Sequence, residues 1–218
     1  MDNKNFIAKR VAMMLHDGDV VNLGIGLPTL VANHIPEGIS VTVHAENGVI
    51  GAGSHAEEHN TDVNIFDAGG MYITTAPGAS VIHSADSFGI IRGGHINATI
   101  LGALQVDEKG NLANWTVPGK KVTGMGGAMD LVASAKLVIC AMEHTAKGNP
   151  KILKRCTFPL TGAGVVDLIV TEMGVIRVTD DGLLLEEIAD GYTVEQVQAA
   201  TEAELKIAPD LKVIKFED

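Results

Sequence analysis

The sequence predicts an α/β protein whose sheet is largely parallel with antiparallel parts. Over the first fifty residues, short apolar runs typical of buried strands alternate with helical periodicity, a pattern that favours parallel strands with helices packed on them. Glycines follow several β-rich runs in pairs, as expected where loops leave the ends of strands. No Pro/Gly/Ser-rich linker divides the chain, so we expect one domain over residues 1–218.

The first fifty residues predict an α-β-α-β order. Apolar residues at helical spacing predict a helix over residues 3–17, and the apolar run Val20–Leu23 predicts a buried strand. A proline that suits a first helical turn predicts a helix over 27–35. A β-rich run over 40–44 predicts the next strand, and the right-handed crossover rule makes the two strands a parallel pair.

The rest of the chain continues the alternation less regularly. Predicted strands cover residues 63–66, 71–75, 98–106, 112–117 and 137–142, of which 112–117 returns antiparallel. Predicted helices cover residues 88–91, 128–135 and 194–201, the last with a capping box formed by Thr193 and Gln196. A turn at Asp180-Asp181-Gly182 predicts a hairpin between residues 175–178 and 183–187.

The composition indicates an acidic globular protein. Among 218 residues, 27 are Asp or Glu and 16 are Lys or Arg, which gives a formal net charge of −11. A protein that binds phosphate backbones needs a concentrated basic excess, so nucleic acid and anionic membrane surfaces are disfavoured as partners. No apolar run approaches the roughly 20 residues of a membrane span, and the start lacks the apolar core of a secretory signal. We therefore expect a cytoplasmic location.

The loop Gly24-Ile25-Gly26 lies between a predicted strand and a predicted helix. A dinucleotide fingerprint has a third glycine where this chain has Thr29, and an acid about 20 residues further on, where it has Glu46. Pro28 removes one amide from the helix end that would hold a pyrophosphate. A plain glycine turn, a ligand loop and a nicotinamide site all stay open for this segment.

Glu46-Asn47-Gly48 follows the second predicted strand. Asn-Gly is a strong turn dipeptide, so a solvated turn is one interpretation. Ligands of open α/β sheets bind at the carboxyl ends of strands, so Glu46 is also a candidate ribose anchor, general base or nucleophile.

A third loop opens the predicted helix 128–135 with Gly126, Gly127 and Ala128. Small residues there leave backbone N–H groups open to an oxyanion or phosphate, although a tight turn that requires glycine explains them equally well.

Histidine and cysteine positions predict neither a metal site nor a Ser/Cys hydrolase. His55 and His59 share i, i+4 spacing, but residues 54–60 have no apolar face and predict an exposed polar loop. Cys140 lies in a predicted buried strand, where it is expected to be inert core. No Gly-x-Ser-x-Gly motif is present.

Five motifs in order give the chain a close resemblance to the beta subunits of the 3-oxoacid, acetate or butyrate–acetoacetate CoA-transferases. They are NLGIGLPT at residues 22–29, ENG at 46–48, IRGGH at 91–95, LANW at 112–115 and GMGGAMDL at 124–131. The resemblance runs from the first helix to about Thr201. One departure is Ala45, where the family pattern leads us to expect serine.

The resemblance implies an open α/β/α fold related to sugar-phosphate isomerases, and a hetero-oligomer with an alpha subunit. It makes Glu46 the catalytic nucleophile, with oxyanion contacts from Gly127 and Ala128. The 24–26 loop, Asn47, Gly48 and Gly126 become substrate or CoA contacts. Coenzyme A thioester is then a substrate, exchanged with short-chain carboxylic acids, and no permanently bound cofactor or metal is implied.

The implied reaction is ping-pong transfer through an acyl-glutamyl anhydride and a glutamyl-CoA thioester on Glu46. Lys120 and Lys121 are candidate contacts for the CoA phosphates, but a solvated turn is the stronger interpretation. Two alternatives stay open: a nicotinamide-dependent dehydrogenase, from the spacing of the glycine loop and Glu46, and a non-enzymatic sugar-phosphate sensor domain.

Overall fold

The computed structural model describes residues 1–120, 122 and 124–216. Lys121 therefore lies outside the described residues. The α-helices are α1 (Asn3–Ala12), α2 (Ser84–Arg92), α3 (Ala128–Ser134) and α4 (Val194–Ala199), and 3-10 helices cover Leu27–His34 and Glu58–Asn60. The strands are β1 (Val20–Leu23), β2 (Thr42–Ala45), β3 (Val49–His55), β4 (Ile73–Val81), β5 (Ala98–Leu101), β6 (Gln105–Asp107), β7 (Leu112–Ala113), β8 (Val138–Ala141), β9 (Thr145–Ala146), β10 (Asn149–Pro150), β11 (Ile152–Leu153), β12 (Leu168–Val170), β13 (Gly174–Thr179), β14 (Gly182–Ala189) and β15 (Leu205–Ile214).

A ten-stranded sheet organises the fold in the order β15-β14-β13-β12-β8-β5-β1-β2-β3-β4. Its centre, β12-β8-β5-β1-β2, is parallel throughout. Antiparallel strands extend it on both sides, through β3 and β4 at one end and β13 and β14 at the other. This confirms the predicted α/β fold with a largely parallel sheet and antiparallel parts.

Apolar residues cover both faces of the central strands. Along β8, Val138 and Cys140 join one buried cluster, while Ile139 and Ala141 join another. The alternation follows from the two-residue period of a strand. Helix α1 packs on the second cluster and α4 on the first, so the sheet lies between two helical layers.

The predicted parallel pair of β1 and β2 and the antiparallel hairpin of β13 and β14 are confirmed. The capping box at Thr193 and Gln196 is present as predicted. Helix α1 is shorter than predicted: it ends at Ala12, and the amide of Gly18 instead donates to the Ser40 carbonyl (2.8 Å) in the turn before β1.

Several predicted strands were wrong. Residues 63–66 form a loop with one isolated bridge, and 49–55 and 205–214 form strands that the sequence pattern did not indicate. The predicted strand 98–106 divides at Gly102, because β5 belongs to the large sheet and β6 pairs with β7 and β11 in a separate three-stranded sheet.

The carboxyl ends of β1, β2 and β5 lie along one edge of the central sheet. Register pairs Val21 with Val43 and with Ala98, so the loops that follow Leu23, Ala45 and Leu101 leave the sheet side by side. This edge carries the residues that the sequence singled out.

Candidate active site

A cleft of about 1070 Å³ opens at this edge of the sheet. The loops after β1, β2 and β5, strand β3 and the glycine-rich segment before α3 contribute to its walls. Among the predicted site residues, those that line it are Gly24, Ile25, Gly26, Glu46, Gly126 and Ala128.

Glu46 stands in the tight turn between β2 and β3. The amide of Gly48 donates to the carbonyl oxygen of Ala45 (2.9 Å), which closes the turn. Gly48 has φ +128°, and a Cβ there would lie 2.4 Å from the carbonyl oxygen of Ile82. Only glycine fits this position, so Gly48 fixes where the Glu46 side chain leaves the backbone.

Asn22 anchors the Glu46 carboxylate. Its Nδ2 donates to Glu46 Oε2 (2.9 Å) and to the carbonyl oxygen of His44 (3.0 Å), which ties β1 to the end of β2. Asn22 is 1% exposed, and its Oδ1 has no hydrogen-bond partner among the described residues. Sequence reasoning gave Asn22 no role, although an amide inside the apolar run Val20–Leu23 was an available signal.

Gly127 packs directly on the same carboxylate. A Cβ at Gly127 would lie 3.0 Å from Glu46 Cγ, 3.3 Å from Glu46 Oε1 and 3.2 Å from Phe88 Cζ. The backbone of the 124–127 loop therefore reaches the carboxylate because position 127 has no side chain. The N–H of Ala128 already donates to the Met125 carbonyl (3.2 Å), so Gly127 is the more accessible of the two predicted oxyanion donors.

His44 lies beneath the turn and is 1% exposed. Its Nε2 makes a 2.9 Å hydrogen bond with Ser87 Oγ, and its Nδ1 has no partner among the described residues. Burial lowers the pKa of His44, and the negative charge of Glu46 opposes this only partly. A neutral imidazole follows, so the carboxylate is held by amide dipoles and not by a histidine cation.

An anchored carboxylate beside an accessible backbone amide, in a cleft at the carboxyl edge of a sheet, suits covalent chemistry on a carbonyl carbon. The comparison with known families decides between the possible uses. Residues 4–200 match the family model described as Coenzyme A transferase. The chain belongs to the coenzyme A transferase family.

Curated relatives of this transferase are single subunits of two-subunit enzymes. The beta subunit of the acetate CoA-transferase of Escherichia coli (strain K12) is 56% identical over 212 residues, covering 97% of each chain. The corresponding B-type chain of the succinyl-CoA:3-ketoacid coenzyme A transferase of Helicobacter pylori is 48% identical over 202 residues, covering 92% of this chain and 97% of the relative. The sequence resemblance is thereby confirmed, and the dehydrogenase and sensor alternatives lose their basis.

A solved structure of an acyl-CoA transferase from E. coli O157:H7, in a thioester complex with CoA, has the same fold. Its TM-score is 0.77 at 21% identity, and the match covers 99% of this chain and 43% of that chain. At this identity the likeness supports the layered α/β fold alone.

Two predicted contacts of the transferase lie elsewhere. Asn47 and Gly48 do not line the cleft. Asn47 Nδ2 donates to the carbonyl oxygen of Phe66 (2.7 Å), which joins the Glu46 turn to the loop before β4. The predicted substrate contacts of both residues are therefore corrected to structural roles in this turn. Ile25, in contrast, is 73% exposed at the cleft, where a ligand can reach it.

The remaining polar candidates are separate from the Glu46 carboxylate. His59 contacts Glu57 (3.4 Å) on the exposed segment after β3, and His55 ends that strand. Within the described ranges, no group of three or more His, Cys, Asp or Glu could hold a metal ion. Burial raises the pKa of the Cys140 thiol to about 12, in agreement with inert core. Lys120 is exposed and lies outside the cleft walls.

None of the helices in the described part of the chain has both the length and the apolar character needed to traverse a bilayer.

Proposed function

We propose that this chain is the catalytic beta subunit of a short-chain acyl-CoA:3-oxoacid CoA-transferase. One observation supports the proposal most: the Glu46 carboxylate is held by Asn22 Nδ2 at 2.9 Å and contacts the Gly127 backbone inside the cleft. The relatives named for acetate and for succinyl-CoA:3-ketoacid transfer support this class of acids.

In the proposed first half-reaction, a Glu46 oxygen attacks the thioester carbonyl carbon. The carbon–sulfur bond breaks, CoA leaves as thiolate, and an acyl-glutamyl anhydride remains. The thiolate then attacks the glutamyl carbonyl, which releases the first acid and leaves a glutamyl-CoA thioester. The second acid reverses these steps, so CoA passes between two acids without an external base.

The attack is the demanding step, because a carboxylate is a weak nucleophile. In our proposal the Gly127 N–H stabilises the tetrahedral oxygen, and one such donor is typically worth about 2.7–4 kcal/mol. Binding energy from the distant parts of CoA adds to this when it is realised in the transition state. The Gly24-Ile25-Gly26 loop, which shares the cleft with Glu46, forms the wall for the thioester arm.

An alpha subunit completes the proposed enzyme. The E. coli relative is named as the beta subunit of its enzyme, and this chain matches 97% of its length. With a net charge of −11, the chain has little general attraction for the polyanionic CoA, so the partner supplies much of the phosphate binding. The partner also covers the cleft and keeps water from the anhydride and the thioester. A single domain and a cytoplasmic location complete the proposal.

The test is Glu46→Gln in the complex with its alpha subunit. The amide keeps the shape of the side chain but cannot form the anhydride, so transfer between acetoacetyl-CoA and acetate should fall by at least about 1000-fold, a loss in the range seen when nucleophiles are removed. Glu58→Gln is the matched control, because Glu58 is exposed and outside the cleft. Retention of most activity in Glu46→Gln, with the control active, would overturn the proposal.

A further inference from the structure

A second carbonyl-recognition element faces the same cleft, on the segment that follows β7. Asn114 and Trp115 both line the cleft that holds Glu46. The segment is held in place by Leu112, whose amide donates to the Gly162 carbonyl (2.9 Å), and by the indole N–H of Trp115, which donates to the Leu160 carbonyl (3.3 Å). The wall is thus fixed on elements distant in sequence.

Thr161 determines which way the Asn114 amide points. Its hydroxyl accepts from the Asn114 backbone N–H (3.3 Å) and donates to Asn114 Oδ1 at 2.6 Å. A separation of 2.6 Å is typical of an O–H···O bond and short for N–H···O, which identifies the bonded side-chain atom as the oxygen. Thr161 is 2% exposed, so this bond is sheltered from water.

The amide nitrogen is then the polar atom of Asn114 available to a ligand. No partner of Asn114 Nδ2 is found within the described ranges. Its neighbours along the cleft are apolar, and they are Leu101, Ala103, Leu104, Trp115 and Leu131. A donor on an otherwise apolar wall favours a ligand with an oxygen acceptor at one position of a short carbon chain.

We propose that Asn114 Nδ2 donates to the 3-oxo oxygen of the acyl group and so determines specificity for 3-oxoacids over saturated acids. The inference rests on the proposed function, since it needs an acyl thioester at Glu46. A site that donates to a substrate oxygen discriminates against the analogue without it, because the buried donor is left unpaired. Thr161 acts as a positioning residue that keeps the amide nitrogen toward the cleft.

The experiment compares acetoacetyl-CoA with butyryl-CoA, which have four-carbon acyl groups that differ at the 3-oxo position. With acetate as common acceptor, kcat/KM for each donor reports its own half-reaction in a ping-pong scheme. Two variants are used in the intact complex. Asn114→Asp keeps the oxygen that Thr161 bonds but removes the donor, and Asn114→Leu removes the donor without adding charge.

In both variants we expect the acetoacetyl-to-butyryl ratio of kcat/KM to fall about tenfold, the effect of one hydrogen bond of ordinary strength. Thr161→Val should lower the ratio in the same direction, whereas a purely structural role would lower both donors equally. A wild-type ratio near one, or an unchanged ratio in active Asn114 variants, would overturn the inference. Activity that survives Glu46→Gln would instead overturn the proposed function.

Discussion

Gly127→Ala perturbs the nucleophile without touching its chemistry. Gly127 has φ −80° and ψ 0°, a backbone conformation open to alanine, so the new methyl group itself causes the effect. The added Cβ would lie 3.0 Å from Glu46 Cγ and 3.3 Å from Oε1. Carbon atoms pack best at about 3.5–4.0 Å, so the carboxylate or the loop must move by about 0.5–1 Å.

A shift of that size should lower turnover strongly, since about 1 Å of misplacement can cost about 100-fold. We expect kcat for acetoacetyl-CoA to fall about 10- to 100-fold, while KM changes less than about threefold, because the displaced groups act mainly in the transition state. Gly89→Ala on α2 is the control, since a Cβ there meets nothing within 4 Å. Full turnover in Gly127→Ala, or equal changes in kcat and KM, would refute the argument.

Three further outcomes follow from the contacts described. Asn22→Ala removes the amide that donates to Glu46, so kcat should fall about tenfold or more; steady-state kinetics with an unchanged kcat would contradict the anchoring. Burial lowers the pKa of His144 from 6.5 to about 4, so the unfolded chain binds this proton first as pH falls. Its stabilisation is complete above about pH 6.5 and falls by about 3 kcal/mol towards pH 4; His144→Gln should flatten this dependence in urea unfolding, and equal slopes would count against it. Arg10→Ala removes two bonds to Glu187 (2.6 and 2.5 Å) and should lower the free energy of unfolding by about 1.5–3 kcal/mol, whereas an unchanged midpoint would show the pair to be neutral.

The central sheet was predictable because its strands are short, apolar and regularly spaced. β1 and β8 are examples: each has an uninterrupted apolar pattern or a single polar residue, and both were predicted close to their observed bounds. β15 was missed because it lies at the sheet edge, contains Pro209 and buries few of its residues, so its pattern does not alternate.

The position of the site also followed from sequence, because parallel strands bring their carboxyl ends to one edge. That rule placed the 24–26 loop beside Glu46. It gave no information on side-chain pairs such as Asn22 with Glu46 or Asn114 with Thr161, which are 24 and 47 residues apart. Their hydrogen bonds depend on strand rotation and loop path, which local patterns do not encode.

The most direct measurement is mass spectrometry of the chain, in complex with its alpha subunit, after brief exposure to acetoacetyl-CoA. The account predicts a CoA-sized mass increase that maps to the peptide containing Glu46 and disappears when acetate is added. A complex that transfers CoA at full rate but never carries this adduct, or carries it on another peptide, would contradict the account.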